Sequence, residues 1–142
     1  MILLPTQRRR NIMLGNARAA ASLPAVDMER AVKFYSEVVG LEQVGGSPED
    51  GSVMFKAGDG AIVFIYQRGE ATKAEHTALN FYIDAGIEDI VKGMTDKGAV
   101  FEQYDMGELK TDELGIAPLG ETKGAWFKDT ESNIIGIFQG QM

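Results

Sequence analysis

The sequence predicts an α+β fold of two tandem β-α-β-β-β modules, and three observations carry that prediction. The strand-like runs IVFIYQ (62–67) and IIGIFQ (134–139) are near copies of one another. Two amphipathic segments leave through matching sequences, GLEQ (40–43) and GAVFEQ (98–103). Strand and helix patterns follow the same order in both halves, and a period this long marks two modules and not a solenoid.

In the first half, AASLPAV (20–26) is short and apolar, and Pro24 assigns it to a sheet edge because proline cannot donate to a ladder. In DMERAVKFYSEVVG (27–40), Met28, Ala31, Val32, Tyr35, Val38 and Val39 fall at helical spacing. Asp27 suits the start of that helix as a cap and Gly40 its end. Three strands follow, LEQV (41–44), SVMFKA (52–57) and AIVFIYQ (61–67), separated by GGSPEDG and by a tight GDG turn at 58–60.

The second half repeats the order. TALNFYI (77–83) is a strand, and IEDIVKGMTDKG (87–98) places Ile87, Ile90, Val91 and Met94 on one helical face. AVFEQY (99–104), GAWFKD (124–129) and NIIGIFQ (133–139) complete the module as strands. The stretch 105–123 replaces a tight turn, and a connection that long in a compact domain is either mobile or functional.

At 142 residues the chain is the size of one domain. Module one is expected over 18–69 and module two over 74–140, within a domain spanning 18–142. Residues 1–17 read as a disordered or extended tail without periodicity, its Arg8–Arg10 run included, and Met13 stands as an alternative start. With no cysteine, disulfides, thiolate nucleophiles and thiolate metal sites are excluded, and a reducing compartment is the natural home. The net charge of −7 argues against nucleic acid and anionic membranes, which both require an excess of Lys and Arg. No apolar stretch approaches the roughly 20 residues of a membrane span, so a cytoplasmic protein with a neutral or cationic small-molecule ligand is expected.

VDMERAVKFYSEVVGLE and WFKDTESNIIGIFQ, in this order, resemble the first helix and the closing hairpin of the vicinal oxygen chelate superfamily. That superfamily includes glyoxalase I, fosfomycin-resistance enzymes, bleomycin-resistance proteins and extradiol dioxygenases. HTALNFYID, EQYDMGELKTDELGIA and AWFKDTESN are similar to a bacterial glyoxalase-like branch. The resemblance spans about residues 20–140. It implies a curved mixed sheet whose concave cleft holds a ligand, with helices on the convex face, and a homodimer in which modules pair within or between chains.

The resemblance also implies where a metal would sit. Metal-using members carry His, Gln or Glu at the start of each module's first strand and Glu on each module's last strand. Those positions fall here on Ala20, Phe64 and Gly136, with the remaining one near His76. Ala, Phe and Gly offer no lone pair, and a lone imidazole does not hold a divalent ion that needs three or four protein donors. A metal-free cleft without a cofactor is therefore expected. Gly136 either opens space for part of a ligand or is drift to a small residue beneath Phe64.

His76 is the only histidine and the one ordinary acid-base group near neutrality, or else a solvated residue at a strand start. If Leu79, Phe81 and Ile83 meet the helices, His76, Ala78, Asn80 and Tyr82 line the cleft. Tyr66, Tyr82 and Tyr104 share the cleft parity of their strands, as do Gly136 and Phe138. If Phe127 turns to the helices, Trp126 and Lys128 face the cleft, where they suit a planar or anionic ligand; otherwise Trp126 packs in the core. Glu102 is either a partner for His76 or a solvated edge residue. Lys110, on the long connection, is a further ligand candidate should that segment close as a lid.

Three functions stay open at this point. The chain binds a small organic molecule in a metal-free cleft, with acid-base turnover through His76 or a tyrosine; or it sequesters a ligand without turnover, in the manner of antibiotic-resistance proteins; or it is a scaffold whose cleft is filled. Metal-dependent lyase or dioxygenase chemistry returns if the ligand assignment fails.

Overall fold

The computed structural model describes residues 12–140, so positions 1–11 of the expected tail, the Arg8–Arg10 run among them, and the last two residues lie outside the described residues. Positions 12–17 make a turn in which the Gly15 N–H donates to Ile12 O at 2.6 Å.

The first module runs β1 (Ala20–Ala25), α1 (Met28–Lys33), β2 (Glu42–Ser47), β3 (Ser52–Ala57) and β4 (Ala61–Gln67), in the sheet order β1-β4-β3-β2. The second runs β5 (Thr77–Ile83), α2 (Ile87–Asp96), β6 (Val100–Phe101), a small hairpin of β7 (Asp105–Met106) and β8 (Leu109–Lys110), then β9 (Ile116–Leu119), β10 (Thr122–Lys128) and β11 (Ile134–Gln139). Its sheet order is β5-β11-β10-β6, with β9 sharing the β6 edge of β10. In each module the first strand lies parallel to the last and the remaining pairs are antiparallel. The near-identical runs of the sequence are thus β4 and β11, the equivalent interior strands of two open mixed sheets.

Asp27 starts α1 by accepting from the Arg30 N–H at 3.0 Å. Beyond Lys33 the helix widens into a π-helix over Phe34–Val39, ending at Gly40 in the left-handed region at φ 85°. The consecutive rings of Phe34 and Tyr35 are both buried there. Tyr35 reaches Phe55 of the first sheet, with centroids 6.0 Å apart, and Phe34 reaches Phe127 of the second at 6.1 Å. α1 therefore lies between the two sheets. Leu23, Val53, Val63 and Ile65 join Ile87, Val91, Ile135 and Ile137 in one core, each fully buried apolar side chain contributing about 1.5–3 kcal/mol. Because both sheets bury one face in this shared core, the other face of each looks outward.

The turn between β10 and β11 fastens the modules together. Asp129, Glu131 and Asn133 are buried, yet every polar atom is partnered. Asp129 accepts from the Tyr35 hydroxyl at 2.6 Å, and Asn133 Nδ2 donates to Pro24 O at 3.0 Å. Glu131 accepts from the backbone N–H groups of Val26 and Asp27, both at 2.9 Å, and from Arg30 Nε at 2.8 Å.

Several expected boundaries move for identifiable reasons. The strand expected over 41–44 lies at Glu42–Ser47, because a bulge after Gln43 and Gly46 at φ 76° carry the pairing with β3 onward. The strand expected over 99–104 ends at Phe101. The Tyr104 N–H donates instead to Thr111 Oγ1 at 2.9 Å, tying that segment to the β7–β8 hairpin. The stretch 105–123 is not a plain connection: it contributes the hairpin and β9. Among the described residues no helix is long and apolar enough to cross a membrane.

Candidate functional site

The outward face of the second sheet gathers most of the residues singled out in the sequence. β10 pairs with β11 so that Trp126 lies opposite Gly136, and β11 pairs with β5 so that Gly136 lies beside Asn80 and Phe138 beside Tyr82. Four rings form a continuous row across these strands. Tyr104 meets Trp126 edge-on at 5.6 Å, Trp126 meets Phe138 edge-on at 5.6 Å, and Phe138 stacks on Tyr82 at 5.7 Å. Tyr82 remains 51% exposed, and the other three rings are half-buried.

Gly136 sits under the middle of this row. A Cβ there would lie 2.5 Å from Asn80 Oδ1 and 2.8 Å from Phe138 Cε2. The space left by the glycine is thus filled by the Asn80 amide and the Phe138 ring. The space expected for part of a ligand is therefore taken by these two side chains, and it does not lie beneath Phe64, which belongs to the first sheet. Glu102 and Lys128 close one end of the row, 3.8 Å apart. Burial first, and then the Glu102 charge, raise the Tyr104 phenol above its ordinary pKa.

Three candidates stand apart. Tyr66 stacks on Phe64 at 6.2 Å on the outward face of the first sheet, where Met54 is also exposed. Among the described residues no aromatic pair joins that face to the Trp126 row. His76 lies in an exposed bend just before β5 and not within the strand. Lys110 lines a groove with Glu88, Asp112 and Lys123, beside α2. Sequence reasoning did not assign a role to the junction residues Tyr35, Arg30, Asp129 and Glu131; the one signal was the aspartate-x-x-x-asparagine pattern of the closing hairpin.

Over residues 18–133 the chain matches the family described as the Glyoxalase/Bleomycin resistance protein/Dioxygenase superfamily. The chain belongs to this superfamily. No curated protein is a significant match to its sequence. Among solved structures, the fosfomycin resistance protein FosX from Mesorhizobium loti is similar at 19% identity and TM-score 0.65, over 89% of this chain and 94% of that one. Lactoylglutathione lyase from Agrobacterium tumefaciens is similar at 20% identity and TM-score 0.62, over 88% and 94%. A mutant of the genomically encoded FosX from Listeria monocytogenes, complexed with Mn(II) and 1S,2S-dihydroxypropylphosphonic acid, is similar at 14% identity and TM-score 0.69, over 89% and 92%. At these identities the likeness shows the fold alone.

A divalent metal, as in the Listeria complex, does not fit the residues at the superfamily's ligand positions in this chain. Ala20 and Phe64 have no donor atom, and a glutamate at position 136 would have to displace Asn80 and Phe138. Among the described residues no three His, Asp or Glu side chains come together as a donor set.

Proposed function

We propose that this glyoxalase-superfamily protein binds a small organic molecule on the outward face of its second sheet, without a metal and without turnover. The observation that carries the reading is the row Tyr104, Trp126, Phe138 and Tyr82, with the Asn80 amide seated over Gly136 where metal-using relatives place a carboxylate. Partly exposed rings offer apolar area and π faces to a planar or cationic ligand, and Asn80 supplies both a donor and an acceptor to orient it.

Among the described residues this face shows no histidine–carboxylate pair of the kind acid-base catalysis uses. Glu102 leans on Lys128, and His76 lies in an exposed bend before β5, hydrogen-bonded to no carboxylate among the described residues. Binding without reaction is therefore favoured over turnover. The proposal includes a homodimer, supported by the second outward face, where Phe64, Tyr66 and exposed Met54 offer apolar area that another copy would cover. A cytoplasmic location completes it, in keeping with a chain that has no cysteine to oxidise.

Trp126 is the sole tryptophan and so reports directly on the face. A screen of planar cations and neutral heteroaromatics, read by its fluorescence, should find saturable quenching that Asn80→Ala weakens by about tenfold, or roughly 1.4 kcal/mol. Chromatography of each bound compound should return it unchanged. A ligand that is converted, with conversion abolished in His76→Ala, would replace this reading with the catalytic one.

A further inference from the structure

A second binding groove lies at the junction of the modules and meets the Trp126 row only at Lys128. α1 faces the turn between α2 and β6 across a cleft of about 310 Å³. Four cationic side chains line it, Arg30 and Lys33 from α1, Lys97 from the turn and Lys128 from the end of β10. In a chain of net charge −7, the lining opposes them with a single carboxylate, Glu37.

The four cations are not equivalent. Arg30 is committed to buried Glu131 at 2.8 Å, and Lys128 is drawn to Glu102 at 3.8 Å. Among the described residues Lys33 and Lys97 form no ion pair, although Glu37 is one helical turn from Lys33. Buried Phe34 and Ala99 form an apolar floor, and Val100, 74% exposed, adds an apolar edge. A site with exposed ammonium groups at its rim and an apolar floor suits a ligand with an anionic head on a compact apolar body. Two ammonium groups without ion-pair partners match the double charge of a phosphate monoester better than the single charge of a carboxylate. The volume lies at the lower end of small-molecule sites, enough for a one-ring ester.

We propose that this groove binds a small phosphate monoester, held by Lys33 and Lys97 with its apolar group against Phe34 and Val100. The site shares only Lys128 with the aromatic face and does not rest on the function proposed for that face. Because the lysines are solvent-facing, affinity falls as ionic strength rises.

The test is an amide NMR titration of the full chain with phenyl phosphate, inorganic phosphate and phenol at constant ionic strength. Phenyl phosphate should shift the Gly98, Ala99 and Val100 amides saturably, inorganic phosphate should bind about tenfold more weakly, and phenol should leave these amides unmoved. Lys33→Gln with Lys97→Gln should weaken phenyl phosphate by at least about tenfold with the melting temperature unchanged; each single change serves if the pair fails to fold. Shifts that grow linearly without saturating, persist undiminished in the lysine variants, or centre on Trp126 and Tyr82 would each overturn the proposal. The last result would place the ester on the aromatic face instead.

Discussion

Replacing Glu131 with Gln removes one negative charge from the junction between the modules while keeping the side chain's shape. In the folded chain its carboxylate accepts from two backbone N–H groups, from Arg30 and from Thr130. Burial alone would raise its pKa. The bonds from Arg30, the Asp27 N–H, Thr130 and the Val26 N–H outweigh burial and hold it at about 2, against an ordinary 4.5. A displacement of that size corresponds to about 3 kcal/mol of folding free energy. Bond counting gives the same order: about 1 kcal/mol for each backbone N–H, and about 1 for Arg30, discounted because its side chain is 52% exposed.

Because the folded pKa lies below the unfolded one, the stabilisation is complete above about pH 5 and is lost as pH falls from about 4.5 towards 2. Urea unfolding of the wild type and Glu131→Gln at about pH 7, 4 and 2.5 measures this directly. The gap between them should be about 3 kcal/mol at neutral pH, slightly smaller near pH 4, and under about 1 near pH 2.5. A gap that stays constant across this range would refute the electrostatic account, and no gap at neutral pH would refute the junction's role altogether.

Two further substitutions test the packing argument. Tyr35→Phe removes the hydroxyl that Asp129 accepts from at 2.6 Å and leaves a buried carboxylate short of a donor, so it should cost about 1.5–3 kcal/mol in a denaturant melt. A loss under about 0.5 kcal/mol would mean that Asn133 already satisfies Asp129. Gly136→Ala brings a methyl group against the exposed Asn80 amide, which can swing aside, and the half-buried Phe138 ring, so it should destabilise by about 1 kcal/mol and alter Trp126 emission. In the Asn80→Ala background that cost should shrink by at least about 0.5 kcal/mol; strict additivity would show that the two residues do not share the space.

The sequence made the elements with strict alternation legible. SVMFKA, AIVFIYQ and TALNFYI form strands over the residues expected, because a two-residue period and flanking turn signals leave one register. Segments whose conformation depends on distant partners were not legible. The Glu102 N–H still donates to Trp126 O of β10, but Gln103 and Tyr104 turn to bond Thr111 after the β7–β8 hairpin, and 116–119 becomes a strand only because β10 offers an edge. Alternation placed Asn80, Tyr82, Trp126 and Phe138 on one face correctly. It says nothing of how two sheets sit on a shared core, and so it put Tyr66 into the same cleft. Glu131 reaches Val26 and Asp27 across more than a hundred positions, a pairing that no local pattern displays.

The central claim, that the family's metal position is rebuilt in this chain as an apolar, aromatic surface, is tested most directly by metal stoichiometry. Untagged protein is incubated with Ni²⁺, Zn²⁺, Mn²⁺ and Fe²⁺, dialysed, and analysed for elements alongside a Gly136→Glu variant. The account predicts substoichiometric metal in both, because restoring one carboxylate still leaves Ala20 and Phe64 without donor atoms. Tight stoichiometric binding by the wild type would contradict it and restore metal-dependent lyase or dioxygenase chemistry as the leading account.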